Sequence, residues 1–203
     1  NWHKFLGLPN GGRGSVPQDQ LNYQYQRGTS APVNLSRPVA GIGDIRLGVG
    51  YPLADHDSRA WTLRAGVKLP TGEAGKFTGS EGTDVYASLH FSNRALFDNE
   101  TLAMHSMVGL LVPGSGDLLD GQVEDWVIFG SGGIGWRIRD RISLKGQIDY
   151  HSAVYDSGLK ELGNFSAQLV FGGSIKFGLK TYVDIAVSED IITDTSPDVV
   201  LQI

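Results

Sequence analysis

The chain has 203 residues, a formal net charge of −5 and no cysteine. That length suits one all-β domain, and an acidic balance without a basic block speaks against a nucleic-acid partner, whose phosphates need clustered Lys and Arg. The missing cysteine excludes disulfide scaffolds, CxxC redox sites and Cys-based zinc sites.

Glycine supplies 28 residues, about twice its ordinary ~7% share. Many of these glycines fall inside strand-like runs, where they suit bends and crowded interiors. No apolar run reaches the ~18 residues of a membrane helix. Barrel strands give a weaker hydropathy signal, so this leaves the membrane question open. No signal peptide is visible, and a chain that begins at Asn1 reads as mature or trimmed.

Residues 1–19 are irregular, with Trp2, Phe5, Leu6 and Leu8 placed for a short amphipathic turn before Pro9. Residues 20–27 alternate Leu21, Tyr23 and Tyr25 with polar residues, which predicts a strand. A Ser/Pro-rich connection covers roughly 28–40.

Residues 41–70 form the organising hairpin. Ile45, Leu47, Val49 and Tyr51 alternate with Asp44, Arg46, Gly48 and Gly50. Trp61, Leu63, Ala65, Val67 and Leu69 alternate with Thr62, Arg64, Gly66 and Lys68. Each arm therefore has one apolar face and one face of glycine and charge, and each approaches the ~9–11 residues that a tilted strand needs to cross a bilayer.

After a long loop, PTGEAGKFTGSEG, residues 83–92 alternate again, while 100–112 are apolar on both faces and leave their orientation open. Further strands are expected at 125–138, 141–150, 164–177, 179–188 and 198–203. Their connections are alternately long and short.

The fold this predicts is all-β: an antiparallel up-and-down transmembrane β-barrel of about ten strands, with short turns periplasmic and long loops extracellular. Aromatic residues on the apolar face gather at strand ends. Tyr51, Trp61, Phe91, Trp136 and Phe177 lie near short turns, and Tyr25, Trp126, Tyr150 and Phe165 near long loops, as two interfacial girdles would require. A soluble sandwich or lipocalin-like barrel is the competing reading, since alternation alone fits it equally.

At GIGD (41–44), KLPTG (68–72) and GSEGTD (79–84), the sequence resembles Gram-negative outer-membrane barrel proteins. FLGLPNGGR (5–13) and TDTSPDV (193–199) extend the likeness to an uncharacterised family of outer-membrane proteins of unknown function. More distantly, it is similar to barrels associated with aromatic-degradation pathways, which pass hydrophobic small molecules. The resemblance implies an outer-membrane barrel and supplies no catalytic residues. Such barrels usually end on an aromatic residue and family members look longer at the N-terminus. A chain ending at Ile203 therefore leads to the expectation of missing ends and about twelve strands in all.

Candidate chemistry is sparse. Gly130-Ser131-Gly132-Gly133-Ile134-Gly135 matches GxGxxG, but a dinucleotide site needs a helix where this sequence continues as strand. PTGEAGK fails the phosphate-loop pattern at Pro70 and Phe77. The segment His90-Phe91-Ser92-Asn93 resembles the His-x-Ser-Asn segment of outer-membrane lipid A deacylases, which implies His90 as base and Ser92 as nucleophile. The histidines lack metal-ligand spacing. The acidic run Glu189, Asp190, Asp194 and Asp198 reads as a solvated loop, with calcium or lipopolysaccharide-bridging ions as the alternative.

The charges expected to line the lumen are Asp44, Arg46, Arg64, Lys68, Asp84, Lys145, Asp149, Lys176 and Asp184. Ionisable groups at membrane depth must pair or meet water, so this near-balanced set predicts a narrow or occluded pore. The leading expectation is a narrow channel or transporter for small molecules, seated among outer-membrane lipids and lipopolysaccharide, with no cofactor or metal. The alternatives are a structural or loop-binding barrel without transport, and a lipid-modifying hydrolase built on His90 and Ser92.

Overall fold

The computed structural model describes residues 21, 23–27, 30–116, 121–178, 181–192 and 200–202. The N-terminal turn, FLGLPNGGR, TDTSPDV, and Asp194 and Asp198 of the acidic run lie outside the described residues.

Strands β1 (Tyr23–Arg27) and β2 (Ser30–Leu35) make a separate antiparallel hairpin. The main sheet runs through β3 (Ile45–His56), β4 (Arg59–Leu69), β5 (Asp84–Asn93) and β6 (Leu102–Val112). It continues with β7 (Val127–Arg139), β8 (Ile142–His151), β9 (Ser166–Phe177), β10 (Thr181–Ile192) and β11 (Val200–Gln202). Every pairing is antiparallel and joins strands adjacent in sequence, giving the order β11 to β3. Among the described residues no helix exceeds one turn; the two are a 3-10 turn at Ala74–Lys76 and an α turn at Lys160–Gly163. The outermost strands, β3 and β11, are not paired with each other among the described residues.

All the expected strands are present; β10 runs on to Ile192, so Glu189 and Asp190 lie in a strand and not in a solvated loop, and three further differences follow. The 28–40 connection contains β2, where Pro32 is tolerated because both strands of a two-stranded ribbon are edges. The first hairpin runs further than its alternation suggested. It reaches His56 and turns in two residues at Asp57-Ser58, with Asp57 at φ 51°. A register shift between Pro52 and Ala54 accommodates the proline, which broke the sequence pattern. Third, register settles the ambiguous β6. Leu89 faces Val108 and Ala87 faces Leu110, so Val108, Leu110 and Val112 join the apolar face, and Ala103, His105, Met107, Gly109 and Leu111 take the other.

One row of cross-strand partners follows the apolar face from β3 to β10: Tyr51, Leu63, Leu89, Val108, Gly130, Tyr150, Ala167 and Ile192. This face stays uncovered. Val49 is 74% exposed, Ile134 53% and Phe171 51%. The buried hydrophobic residues among those described are Ala74, Val127 and Ala167. A sandwich would lay a second sheet over this face. Here the remaining hairpin meets the 3-10 turn instead, through β2.

Candidate functional site

The second face of the sheet is polar and charged, and the sheet curls around it. A cavity of about 620 Å³ is lined in common by Ser92 of β5, His105 of β6, Lys145 and Gln147 of β8, and Asp184 and Ala186 of β10. Strands β5 and β10, five places apart in the sheet order, thus look onto one space.

Where the long loops begin, Asp44, Ser80 and Asp84 converge on Lys68. Its Nζ lies 2.7 Å from Asp84 Oδ2 and 3.5 Å from Asp44 Oδ2, and it donates to Ser80 Oγ at 2.5 Å. Asp44 also accepts the N–H of Gly72 at 2.9 Å and of Ser80 at 3.1 Å. Asp84 accepts the N–H of Gly114 at 3.1 Å. Thr71 joins the same knot by donating to the Gly43 carbonyl and accepting from the Ile45 N–H. A Cβ at Gly79 would overlap the Asp44 carboxylate. Lys68 is buried. Desolvation raises the Asp44 pKa, but the two backbone N–H groups and the Lys68 charge outweigh it and hold the carboxyl below its usual range. The short motifs GIGD, KLPTG and GSEGTD are therefore the parts of one rim structure.

Deeper in the curl the polar groups pair across strands. Lys145 Nζ lies 2.6 Å from Asp184 Oδ1, which also accepts from the Ser174 hydroxyl. Gln147 Nε2 donates to both oxygens of Asp149, at 2.8 and 2.9 Å. That turns the Gln147 carbonyl oxygen toward His105 Nε2, 3.1 Å away, so Nε2 is the protonated ring nitrogen. Lys176 stands 5.6 Å above the Tyr182 ring. Arg46 and Arg64 make no ion pair among the described residues.

Two glycine positions show what strand glycines do here. The Tyr86 ring lies across Gly66, where a Cβ would come within 2.5 Å of Tyr86 Cζ, and the Phe129 ring covers Gly109 in the same manner. Aromatic rings are laid flat over neighbouring strands, which brings the wall in tightly.

The expected lumen charges thus divide. Asp44, Lys68 and Asp84 close the rim cluster, Lys145 pairs with Asp184, Asp149 is held by Gln147, Lys176 sits on Tyr182, and Arg46 and Arg64 have no carboxylate partner among the described residues. His90 and Ser92 share a face, as their spacing requires. The His90 hydrogen bond goes instead to Ser88 Oγ at 2.9 Å, while Ser92 sits opposite His105. Sequence reasoning missed Ser80, Ser88, His105 and Gln147. Alternation places Ser88 and Gln147 on this face and register places His105 there, while Ser80 lies in the loop after β4; nothing local marked their partners. The GxGxxG run lies wholly within β7, without a following helix. No group of three His, Asp or Glu side chains suited to a metal occurs among the described residues.

Fold and site together define an antiparallel β-meander with one uncovered apolar face and one polar face curled around a cavity. The whole chain, residues 1–203, matches the model of the family described as Protein of unknown function (DUF3187), and the chain belongs to that family. This bears out the likeness to an uncharacterised family of unknown function. Among curated proteins, none matches the sequence.

Proposed function

We propose that this protein is an outer-membrane β-barrel that passes small solutes through a narrow lumen. The observation that carries the reading is the opposition of the two faces: an apolar belt exposed from β3 to β10, backed by a polar, charged face around a cavity. Soluble monomers rarely expose contiguous apolar patches above a few hundred Å², and lipid is the solvent that such a belt matches. Strands of 10 to 13 residues from β3 to β10 suit a tilted crossing. Trp61 and Phe91 lie 4.6 Å apart in a tilted contact near the short turns, and Tyr150 and Phe165 stack at 6.1 Å near the long loops, which fits interfacial girdles. In this reading the β3 edge is closed within the full barrel, short turns face the periplasm, and the long loops meet lipopolysaccharide. An open edge that long would otherwise invite aggregation.

The tests are direct. The protein should fractionate with the outer membrane, migrate as a compact species in unheated detergent gels, and give discrete conductance steps in planar bilayers. Arg64→Gln should then shift ion selectivity, because Arg64 lies on the inner face and has no carboxylate partner among the described residues. A correctly folded barrel with no conductance would sink the open-channel reading. The ordered rim would then favour the second reading, a barrel whose loops bind a partner.

A further inference from the structure

We infer that the cavity at the Lys145–Asp184 pair is a binding site for a small zwitterion, of the type of an α-amino acid with an apolar side chain. This rests on the solute-passing reading and names the solute. Three observations carry it.

The cavity, about 620 Å³, lies within the ~300–1,000 Å³ typical of small-molecule sites, which are mostly apolar with a few convergent polar groups. Its one intimate ion pair is half in solvent: the side chains of Lys145 and Asp184 are 56% and 62% exposed. Both charges are therefore presented to whatever enters, rather than being spent on packing. Beside them Ala103, Val170 and Ala186 give the wall an apolar patch.

A solute with a single charge gains little at such a pair, because the attraction of one partner is opposed by the repulsion of the other. A solute carrying a carboxylate and an ammonium one carbon apart matches both. Its charges are spaced like Lys145 Nζ and Asp184 Oδ1, which are 2.6 Å apart. The carboxylate meets Lys145 and the ammonium meets Asp184, while the side chain rests on the apolar patch. Ser174 donates to Asp184 and so fixes the acceptor. Gln147, anchored by Asp149, holds the neighbouring His105 through its ring Nε2.

The experiment is calorimetric titration of the folded full chain in detergent with leucine, with 4-methylpentanoate, which lacks the ammonium, and with isoamylamine, which lacks the carboxylate. Leucine should bind at least about tenfold tighter than either, the scale of one charge-assisted hydrogen bond. Lys145→Met and Asp184→Asn should each remove that preference, with compact gel migration as the folding control. Equal binding of the three probes by the native protein, or an unchanged preference in both folded variants, overturns the inference. Conductance of the same preparations separates the two readings. A conducting barrel indifferent to leucine defeats this site alone. A silent barrel that prefers leucine keeps the site and defeats the channel.

Discussion

Lys68→Met tests the rim cluster most sharply. At an effective dielectric near 20, the attractions of Lys68 to Asp84 at 2.7 Å and to Asp44 at 3.5 Å are roughly 6 and 5 kcal/mol. Much of this offsets the cost of burying three charges. Removal of one partner nevertheless strands the others, and such losses run at about 3–5 kcal/mol. The damage should be local, because what the cluster holds is loop 70–83 and the start of the loop after β6. Hydrogen exchange of the Gly72, Ser80 and Gly114 amides reads that opening directly. A loss of about 3 kcal/mol corresponds to protection falling by about a hundredfold or more. The variant combining Asp44→Asn, Lys68→Met and Asp84→Asn should be less damaged than Lys68→Met alone, because no unpaired charge remains. Protection within about threefold of native in Lys68→Met, or a triple variant worse than the single one, would refute the reasoning.

Asp44 adds a pH dependence of defined sign. Its folded pKa is depressed, so its contribution is complete above the ordinary carboxylate value near ~3.9 and is lost as pH falls through the folded value. Protection of the Gly72 and Ser80 amides should fall in that acid range, and Asp44→Asn should flatten the profile. Gly66→Ala should cost about 1–3 kcal/mol in a denaturant melt, because Tyr86 occupies the space of the new methyl. Gly146→Ala meets nothing within 4 Å and should be neutral or gain up to about 1 kcal/mol; the reverse order would contradict the aromatic-over-glycine account. Gln147→Leu should release His105 from its Nε2–H tautomer, visible in the ring 15N shifts, and unchanged shifts would remove Gln147 from that role.

Much of this fold was legible because a strand writes its two faces into alternate residues. The apolar rows from Ile45 to Tyr51 and from Trp61 to Leu69 were readable, and so was the placement of Arg64, Lys145 and Asp184 opposite them. What alternation does not contain is register. The stretch 100–112 could be oriented only through its partners Leu89 and Ala87. The Lys68 cluster joins residues 44, 80, 84 and 114 through loops whose path no periodicity specifies. The Ser88–His90 bond was hidden for a different reason. Residues two apart on one strand face have neighbours on both sides, and the choice between Ser88 and Ser92 is made by packing. Pro52, of a residue type that usually ends a strand, sits within β3 at a shift in its pairing with β4.

Among the described residues β3 to β11 each pair only with their neighbours in the chain, so each of these registers is set within the length of one hairpin. Short-range pairing keeps loop-closure entropy small at each step, so the meander can grow by accretion from any hairpin. The hairpins are correspondingly separable units. Duplicating or removing one changes the girth of the wall by two strand spacings, about 10 Å, and leaves the registers elsewhere untouched. The width of the curled sheet is thus a countable, inheritable quantity, adjustable by recombination at the turns.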